Sequence, residues 1–325
     1  MASNLDTAIL LGKESTYGTP VSLTNGYEGK ADSWKRETQI LESLGFRSGY
    51  QARRTDRRTV VNMGGTGTLE FDILTKGFGF IGQAMLGSVS GPTQEGATTA
   101  YTSTFATTAD DPGDSYTVQV QRVTAGTGSV ESFTHHGSTV TAWQLSQDTS
   151  GYASLSLDFD FEDVDTAEAD GTPTYPSGAT PFDWTQCVVT VDSVSTPVQE
   201  LSLDADLGLN VDRRFLKGSA LKSRPVRSAI PTFSGSINSE FASTTLYDHW
   251  VADDIIPITF TWTGVNIEGA FDYELVVTMA NCQFTGESPE ASVEDLAAQP
   301  MAFDVLYDGS TDAVVMTYTS TDTSL

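Results

Sequence analysis

The segment 47-RSGYQARRTDRRTVVNMGGTGTLEF-71 indicates how the chain is organised, because a related segment follows without a gap 170 positions further on, 217-KGSALKSRPVRSAIPTFSGSINSEF-241. Both copies begin with a basic loop, pass a glycine and end in a strand that closes with Glu-Phe. The coincident pairs are Arg47 with Lys217, Arg54 with Arg224, Arg57 with Arg227, Gly65 with Gly235, Glu70 with Glu240 and Phe71 with Phe241. Matches of several kinds in one register indicate an internal repeat.

Short amphipathic segments follow both copies, at 75–86 and 245–254, and each predicts a short helix. Between the copies, residues 166–182 carry three prolines and no apolar period, so this segment is predicted to be a linker. A chain of 325 residues is long enough for two domains of ordinary size. The sequence therefore predicts a tandem pair, a first domain with an N-terminal arm at 1–170 and a second domain at 171–325.

Frequent threonine, serine and glycine with short alternating segments predict an all-β protein. The clearest alternation lies in 153-ASLSLDFDFEDVD-165. Its apolar members are Leu155, Leu157, Phe159 and Phe161, and its polar members are Ser156, Asp158, Asp160 and Glu162. Such a period of two predicts a strand with one buried and one solvated face.

Two further predictions concern the residues around the first basic loop. The segment 34–46 places Ile40, Leu44 and Phe46 on one side, which predicts a strand with a mostly buried face. The segment 47–58 has no sustained apolar period, which predicts a loop or the tip of a long hairpin.

The charge is strongly acidic and unevenly distributed. The net charge is −26 at pH 7, yet seven of the 17 Lys and Arg residues lie between Lys35 and Arg58 and six lie between Arg213 and Arg227. An acidic surface repels nucleic acid and anionic membranes, so it argues against an ordinary DNA-binding protein. The acidic excess with few lysines also suggests a halophilic source.

The residue types needed for catalysis form no recognisable motif. There is no nucleophile elbow and no P-loop, and the adjacent His135 and His136 are interpreted as a solvated turn pair. Cys187 and Cys282 are interpreted as buried free thiols, too few for a zinc site. No enzyme activity, cofactor or metal is therefore predicted. The sequence contains no run of about 18 apolar residues, so no transmembrane helix is predicted.

The acidic cluster leaves alternatives open. Asp158, Asp160 and Glu162, with Asp163 and Asp165, could bind calcium or act as a glycosidase pair. A calcium loop needs turn geometry, whereas these residues alternate along a predicted strand. A solvated acidic face is the favoured interpretation.

With its basic loop, the chain resembles the tail tube (major tail) proteins of siphoviruses over nearly its whole length. The segments that carry the resemblance are 13-KESTYGTP-20, 65-GTGTLEFDI-73, 156-SLDFDFEDVDTA-167, 182-FDWTQCVVTVD-192 and 257-PITFTWTGVNIEG-269. The resemblance implies β-sandwich domains, each with a short flanking helix and a long loop between two strands. It also implies rings of six domains that stack into a tube for the viral DNA. Because this chain carries two predicted domains where most members carry one, a homotrimer with pseudo-sixfold symmetry is expected.

The resemblance also implies partners and a location. The expected partners are further copies of the chain, the tape measure protein and the tail completion or tip proteins. Viral DNA is expected to pass through the tube without specific binding, and no membrane partner is expected. The expected location is the tail of the virion, with the host cytoplasm before assembly.

Two sets of residues are candidates for the assembly. Basic loops between acidic rings could support ring stacking, since arginine pairs bidentately with carboxylates. The stacking candidates are Arg47, Arg53, Arg54, Arg57, Arg58, Lys217, Lys222, Arg224 and Arg227. An acidic strand face could line a lumen that does not hold phosphates, and its candidates are Asp158, Asp160 and Glu162.

The rival hypothesis is a carbohydrate-binding β-sandwich module on a virion or cell surface. Such a module would line a groove with aromatic side chains, for which Trp143, Trp184, Trp250 and Trp262 are available. It gives the paired basic loops no role. A glycosidase is the third hypothesis, and only the abundance of carboxylates supports it.

Overall fold

The structure is a computed structural model that describes residues 7–45, 48–49, 51–108, 114–286, 288 and 298–325. The elements of the first half, in chain order, are β1 (Ala8–Lys13), β2 (Gly26–Tyr27), β3 (Gly29–Arg36), β4 (Gln39–Glu42), β5 (Arg58–Asn62), β6 (Gly65–Asp72), α1 (Gly79–Leu86), β7 (Gly87–Gln94), β8 (Tyr101–Thr107), β9 (Tyr116–Val123), β10 (Val130–Asp148), β11 (Ser154–Phe161) and β12 (Asp163–Asp165). A 3₁₀ turn at Thr55–Arg57 precedes β5.

The second half begins with a 3₁₀ turn at Trp184–Gln186 that Asp183 caps. Its further elements are β13 (Cys187–Val191), β14 (Val194–Ser195), β15 (Glu200–Asp206), β16 (Leu209–Asn210), β17 (Val226–Arg227), β18 (Thr232–Glu240), α2 (Thr245–Ala252), β19 (Ile255–Glu268), β20 (Phe271–Phe284), β21 (Ala298–Val305) and β22 (Val315–Ser320). The all-β prediction is confirmed, and so are the two short helices.

Sheet I contains strands from both halves in the order β3-β6-β11-β10-β15-β18-β21, with every neighbouring pair antiparallel. The halves meet in its middle, where β10 pairs with β15 from Ala142 opposite Asp206 to Asp148 opposite Glu200. Sheet I is therefore one continuous surface to which both halves contribute.

Two other sheets complete the sandwich. Sheet II has the order β7-β8-β22-β20-β19-β13-β14, and sheet III has the order β2-β1-β9-β10-β12. The long strand β10 pairs in sheet III first and then continues into sheet I after irregular registers near Ser138 and Val140. In the same way β20 belongs to sheet II and its last residues pair with β21 of sheet I.

The pairing pattern repeats along the chain. The series β1, β2, β3, β4, β5, β6, α1, β9, β10, β11, β12 has the same order and the same partners as β13, β14, β15, β16, β17, β18, α2, β19, β20, β21, β22. The hairpin β7–β8 is an insertion in the first series, and β8 pairs with β22 of the second. The division into domains 1–170 and 171–325 stays a prediction, which this shared order supports.

One hydrophobic cluster runs through both halves. At its centre the indole nitrogen Nε1 of Trp262, on sheet II, donates to Oε1 of Gln147 on sheet I at 3.2 Å. The indole nitrogen of Trp143, on sheet I, donates to the carbonyl of Met85 at the end of α1 at 3.2 Å. The aromatic rings of Phe260 and Phe303 meet edge to face across the same core at 6.5 Å. The halves are therefore packed together as well as paired.

Position 67 must be glycine because the ring of Trp34 lies against the backbone there. The indole ring of Trp34 lies across β6, and a Cβ at Gly67 would lie 2.2 Å from it. We expect Gly67→Val to lower the free energy of unfolding by about 1–3 kcal/mol, because an overfilled core must shift its neighbours. Urea denaturation measures this effect. Thr66→Val, on the exposed face of the same strand, is the control, and equal losses in the two variants would contradict this explanation.

Two predictions about burial need correction. Ile40 and Leu44 are exposed, since β4 pairs with β5 in a projecting hairpin and not in a packed sheet; Phe46 lies outside the described residues. His135 is buried, with its ring stacked 4.2 Å from that of Trp34, and burial lowers the pKa of His135 to about 4. It lies within β10 and not in a solvated turn.

The cysteine prediction is confirmed. Cys187 and Cys282 are free thiols, the first partly buried and the second fully buried. Burial raises the pKa of both thiols to about 12.

Candidate functional site: a polar sheet face and two basic arms

The outward side of sheet I is a continuous polar face. Alternation along each strand turns the apolar side chains into the core and the polar ones outward. The outward residues are mostly small or acidic, with Lys35, Gln144, Asn238 and Pro300 as exceptions: Ala31, Ser33 and Lys35 on β3; Thr66, Thr68, Glu70 and Asp72 on β6; Ser154, Ser156, Asp158 and Asp160 on β11; Ala142, Gln144, Ser146 and Asp148 on β10; Glu200, Ser202, Asp204 and Asp206 on β15; Thr232, Ser234, Ser236, Asn238 and Glu240 on β18; Ala298, Pro300, Ala302 and Asp304 on β21. We call this surface the polar face.

On the polar face, side chains of neighbouring strands form hydrogen bonds with one another. Thr68 Oγ1 donates to Asp158 Oδ1 at 2.8 Å, and Gln144 Nε2 donates to Asp204 Oδ1 at 2.5 Å. The hydroxyl of Ser202 lies 3.0 Å from the hydroxyl of its neighbour on β18. These hydrogen bonds connect the polar side chains of neighbouring strands across the face.

Negative charge dominates the polar face. Among the described residues, its cations come from the edge strand β3, where Lys30 reaches Asp72 at 2.9 Å and Lys35 lies 3.8 Å from Glu37. Near the centre, Asp158, Asp204 and Asp206 line a shallow depression. A duplex with phosphates on its outside would find repulsion along this surface and few places to bind.

The three acidic candidates lie in different surroundings. Asp158 is exposed on the polar face, as the alternation predicts. Asp160 points the same way but is only 3% exposed, because Lys222 covers it and pairs with it. Glu162 lies beyond the strand end, 9% exposed, with a carboxylate oxygen 3.9 Å from Nδ1 of His136. The prediction that all three are solvated is therefore wrong for the last two.

Burial raises the pKa of Asp160 to about 6, with the nearby ammonium of Lys222 acting in the opposite direction. At neutral pH the pair is ionic, and the carboxylate depends on that ammonium for its stability in the protein interior. The pair fixes the second basic loop to the first half of the chain.

Two arms project from equivalent places in sheet I. Arm one comprises residues 37–64, between β3 and β6, and arm two comprises residues 207–231, between β15 and β18. They contain the two copies of the repeated basic loop. The prediction of a loop or hairpin tip at 47–58 is confirmed for its described residues, since β4 and β5 form the hairpin stem.

Arm two lies against the first half. Apart from the Lys222 pair, Arg214 Nη1 donates to the carbonyl of Met63 at 3.2 Å, and Met63 N donates to the carbonyl of Ala220 at 3.1 Å. Arg227 Nη1 donates to the carbonyl of Thr108 at 2.7 Å. Arm two is therefore fixed by contacts that run sideways along sheet I, from the second half to the first.

The tip of arm two is apolar and exposed. Phe215 is 56% exposed and Leu216 is fully exposed, with Arg213, Arg214 and Lys217 beside them. Large apolar side chains grouped on a surface mark a site of interaction. Sequence reasoning missed these two residues, although their position between cations in the repeat was visible.

Arm one has similar side chains and fewer contacts. Ile40, Leu41 and Val60 are exposed on its stem. Arg57 and Arg58 are exposed and form no salt bridge with a described residue. Two others do form such pairs inside the arm, Arg53 with Glu42 at 3.3 Å and Arg54 with Asp56.

The structure separates the stacking candidates into two groups. Arg53, Arg57, Arg58 and Lys217 are exposed on the arms, and Arg54 of arm one is half-buried. Lys222 is buried, and Arg224 and Arg227 are half-buried; Arg47 lies outside the described residues. The strand alternation Glu200–Asp206, which sequence reasoning did not use, would have found the acidic residues of β15, because its period of two matches that of β11.

The groups required by the rival hypotheses are not assembled into a site. Trp143 and Trp262 are buried, so neither ring can stack on a sugar, and Trp184 and Trp250 lie elsewhere on the surface. Within the part of the chain that the structure describes, no three His, Cys, Asp or Glu residues are placed to hold a metal ion. The described helices are all too short or too polar to span a bilayer.

Comparison with known proteins gives one match. The family model of the phage tail tube protein matches residues 4–305, which is most of the chain. A search of curated proteins found no match.

Proposed function

The chain belongs to the phage tail tube protein family, so it is a structural protein of the virion tail that assembles with itself into a tube, and we propose that three copies form each ring of that tube. The ring has pseudo-sixfold symmetry, because each copy contributes two repeats to sheet I. The observation that carries this proposal is the edge-to-edge join of the repeats at β10 and β15.

The ring closes by repeating that join between copies. The outer edge of β15 pairs with β10, whereas no described strand pairs with the outer edge of its counterpart β3. In the second repeat β20 is the counterpart of β10, and it pairs with β21 only at Phe303–Val305, so among the described residues no strand covers the edge of β21 at Ala298–Met301, where β10 lies in the first repeat. Open edges at both ends of a sheet favour a head-to-tail contact, and such contacts form rings when the rotation closes.

The polar face then lines the lumen. Its short side chains leave a smooth wall, and its carboxylates repel the phosphates of the passing DNA. At molar salt the Debye length falls to about 3 Å, so there the carboxylates contribute mainly by holding water against the wall. The halophilic host that the acidic composition suggests stays a prediction.

The tip of arm two connects successive rings. Phe215 and Leu216 would pack on the next ring, and the exposed cation Lys217 beside them would pair with its carboxylates. Buried apolar contact supplies most of the free energy here and the charged pair supplies orientation. The tape measure protein would occupy the lumen before DNA, and tail completion and tip proteins would bind the terminal rings. Assembly takes place in the host cytoplasm.

Negative-stain electron microscopy of the purified protein tests this proposal. The expected result is rings and tubes whose class averages show three copies and six similar lobes. Six identical copies in a ring would overturn the trimer and leave the tube. Monomers at every salt concentration would contradict the assembly.

Changing Phe215 and Leu216 together to serine is expected to separate the rings. The variant should give free rings in place of tubes, since the apolar area at each contact between rings is lost. Negative-stain micrographs of both proteins at equal concentration, scored for tubes and free rings, measure the change. Val265→Ser, an exposed apolar position away from the arms, is the control. Tubes of normal length in the double variant would show that the contact between rings lies on another surface.

A further inference from the structure

The two residues on either side of Phe161, at the end of β11, are buried, whereas the equivalent residues on either side of Phe303 in β21 are exposed. Phe161 pairs with Gly65 and Phe303 pairs with Gly235, and the two glycines match in the sequence repeat. The first-repeat corner, Asp160 and Glu162, therefore corresponds to the second-repeat corner, Ala302 and Asp304. The first pair is buried and the second pair is exposed.

Arm two forms much of the cover in the first repeat. Its Lys222 reaches from the second repeat to Asp160 of the first, across the join between β10 and β15. Arm two therefore extends sideways, onto the repeat that lies beyond the outer edge of its own strand β15.

Arm one is the counterpart of arm two and has no repeat beyond its own edge strand. Within a single chain, nothing described lies past β3 for arm one to cover. Its apolar residues Ile40, Leu41 and Val60 are exposed as a result. Arm two lies against a neighbouring repeat, whereas arm one has no described repeat to lie against and exposes apolar side chains on its stem, which indicates a missing neighbour.

The bare corner matches arm one in chemistry. Gln283 pairs with Asp304 and its amide donates to Asp253 at 2.6 Å, which places two exposed carboxylates together. Ile255, 59% exposed, pairs with Gln283 on the other side, and the exposed Tyr307 follows the end of β21. The corner thus offers carboxylates and apolar side chains to an arm that carries arginines and apolar side chains.

We infer that arm one of each copy covers the second-repeat corner of the neighbouring copy in the same ring. The occupant of this surface is a second copy of the chain, and the contact repeats between copies what arm two makes within one. Arg57 and Arg58 pair with Asp253 and Asp304, while the stem of arm one packs on Ile255 and Tyr307. The inference rests on the ring of the proposed function and assigns arm one to the ring itself.

Chemical cross-linking tests the inference at the position that the repeat specifies. Ala52 of arm one corresponds to Lys222, and Ala302 corresponds to Asp160; both alanines are exposed. The double variant Ala52→Cys, Ala302→Cys, treated with a short bis-maleimide, is expected to give covalent dimers and trimers and nothing larger. The native thiols are poor competitors because Cys282 is fully buried, Cys187 is partly buried, and burial raises the pKa of both to about 12. Each single variant is a control and should stay monomeric on a denaturing gel.

The other outcomes separate this inference from the proposed function. Rings and tubes by microscopy without cross-linked product would overturn the inference and keep the tube. A ladder that continues beyond three copies would also overturn it, since arm one would then cross between rings. Absence of any ring would overturn both.

A charge reversal provides a second measurement. Arg57→Glu with Arg58→Glu should weaken the ring by about tenfold or more in its dissociation constant, since like charges would face each other at the corner. Adding Asp253→Lys and Asp304→Lys should restore much of it. Analytical ultracentrifugation measures both. A ring unaffected by the first pair of changes would contradict the contact.

Discussion

Lys222→Met is expected to lower the free energy of unfolding by about 3–5 kcal/mol at neutral pH, because it leaves a buried carboxylate without its counter-ion. The ammonium of Lys222 is the charged partner of Asp160, and both side chains are almost fully buried. The other carboxylate oxygen of Asp160 has no hydrogen-bond partner among the described residues. Chemical denaturation of the parent and the variant measures the loss.

The double variant Lys222→Met, Asp160→Leu is the matched control. Replacing both members of a buried ion pair with apolar groups is often neutral, so most of the stability should return. If the single and double variants lost the same amount, the unpaired charge could not be the cause, and the loss would belong to the packing of arm two.

The pH dependence of the Lys222→Met effect has a definite sign. Burial raises the pKa of Asp160 above its unfolded value of 3.8, to about 6 in the parent, and removal of the ammonium raises the pKa further. A carboxyl group with a raised folded pKa destabilises the protein above its unfolded pKa, by an amount that grows until pH passes the folded pKa. Because the unfolded pKa is common to both proteins, the difference between parent and variant should shrink as pH falls from the raised pKa of the variant towards about 6 and stay constant below it. A difference that grew on acidification would contradict this assignment.

Trp262→Ala is expected to cost about 3–5 kcal/mol, the range for removing a buried tryptophan from a core. Trp262 is 0% exposed and is among the largest fully buried side chains. Its indole also donates to Gln147, so the change removes a hydrogen bond between sheet II and sheet I. Thermal or guanidinium unfolding measures the loss.

Trp184→Ala is the control for that change. Trp184 is 47% exposed, so its loss should be within about 1 kcal/mol. Because Trp262 belongs to the second repeat and Gln147 to the first, the parent should unfold in a single transition. Two transitions in Trp262→Ala, one for each repeat, would be consistent with the loss of this contact between the repeats. Equal costs at the two tryptophans would contradict the burial argument.

Several features could be predicted from the sequence because their causes are local. The alternation in 153–165 fixes which side chains of β11 face the core, since successive residues of a strand point to opposite sides. The repeated basic loop and the following strand predicted two arms in equivalent places. The acidic composition and the position of the cations predicted an acidic face and basic arms.

Other features depended on contacts between distant parts of the chain. Ile40 and Leu44 alternate with polar residues like buried strand residues, yet they are exposed, because alternation does not specify what covers the apolar side. Asp160 follows the polar alternation of β11, yet arm two buries it. The hairpin β7–β8 joins the sheet of the other repeat, a pairing that no local pattern in either segment indicates.

Strand periodicity, repeated segments and composition are properties of neighbouring residues, so the all-β class, the repeated basic loop and the separation of charge could be predicted from the amino-acid order. How the two halves join, which carboxylates are solvated and which arm contacts a neighbouring repeat are settled only in the folded chain. Those properties depend on residues far apart in the chain, as Lys222 and Asp160 are, and their meeting is a consequence of sheet I bringing β15 beside β10.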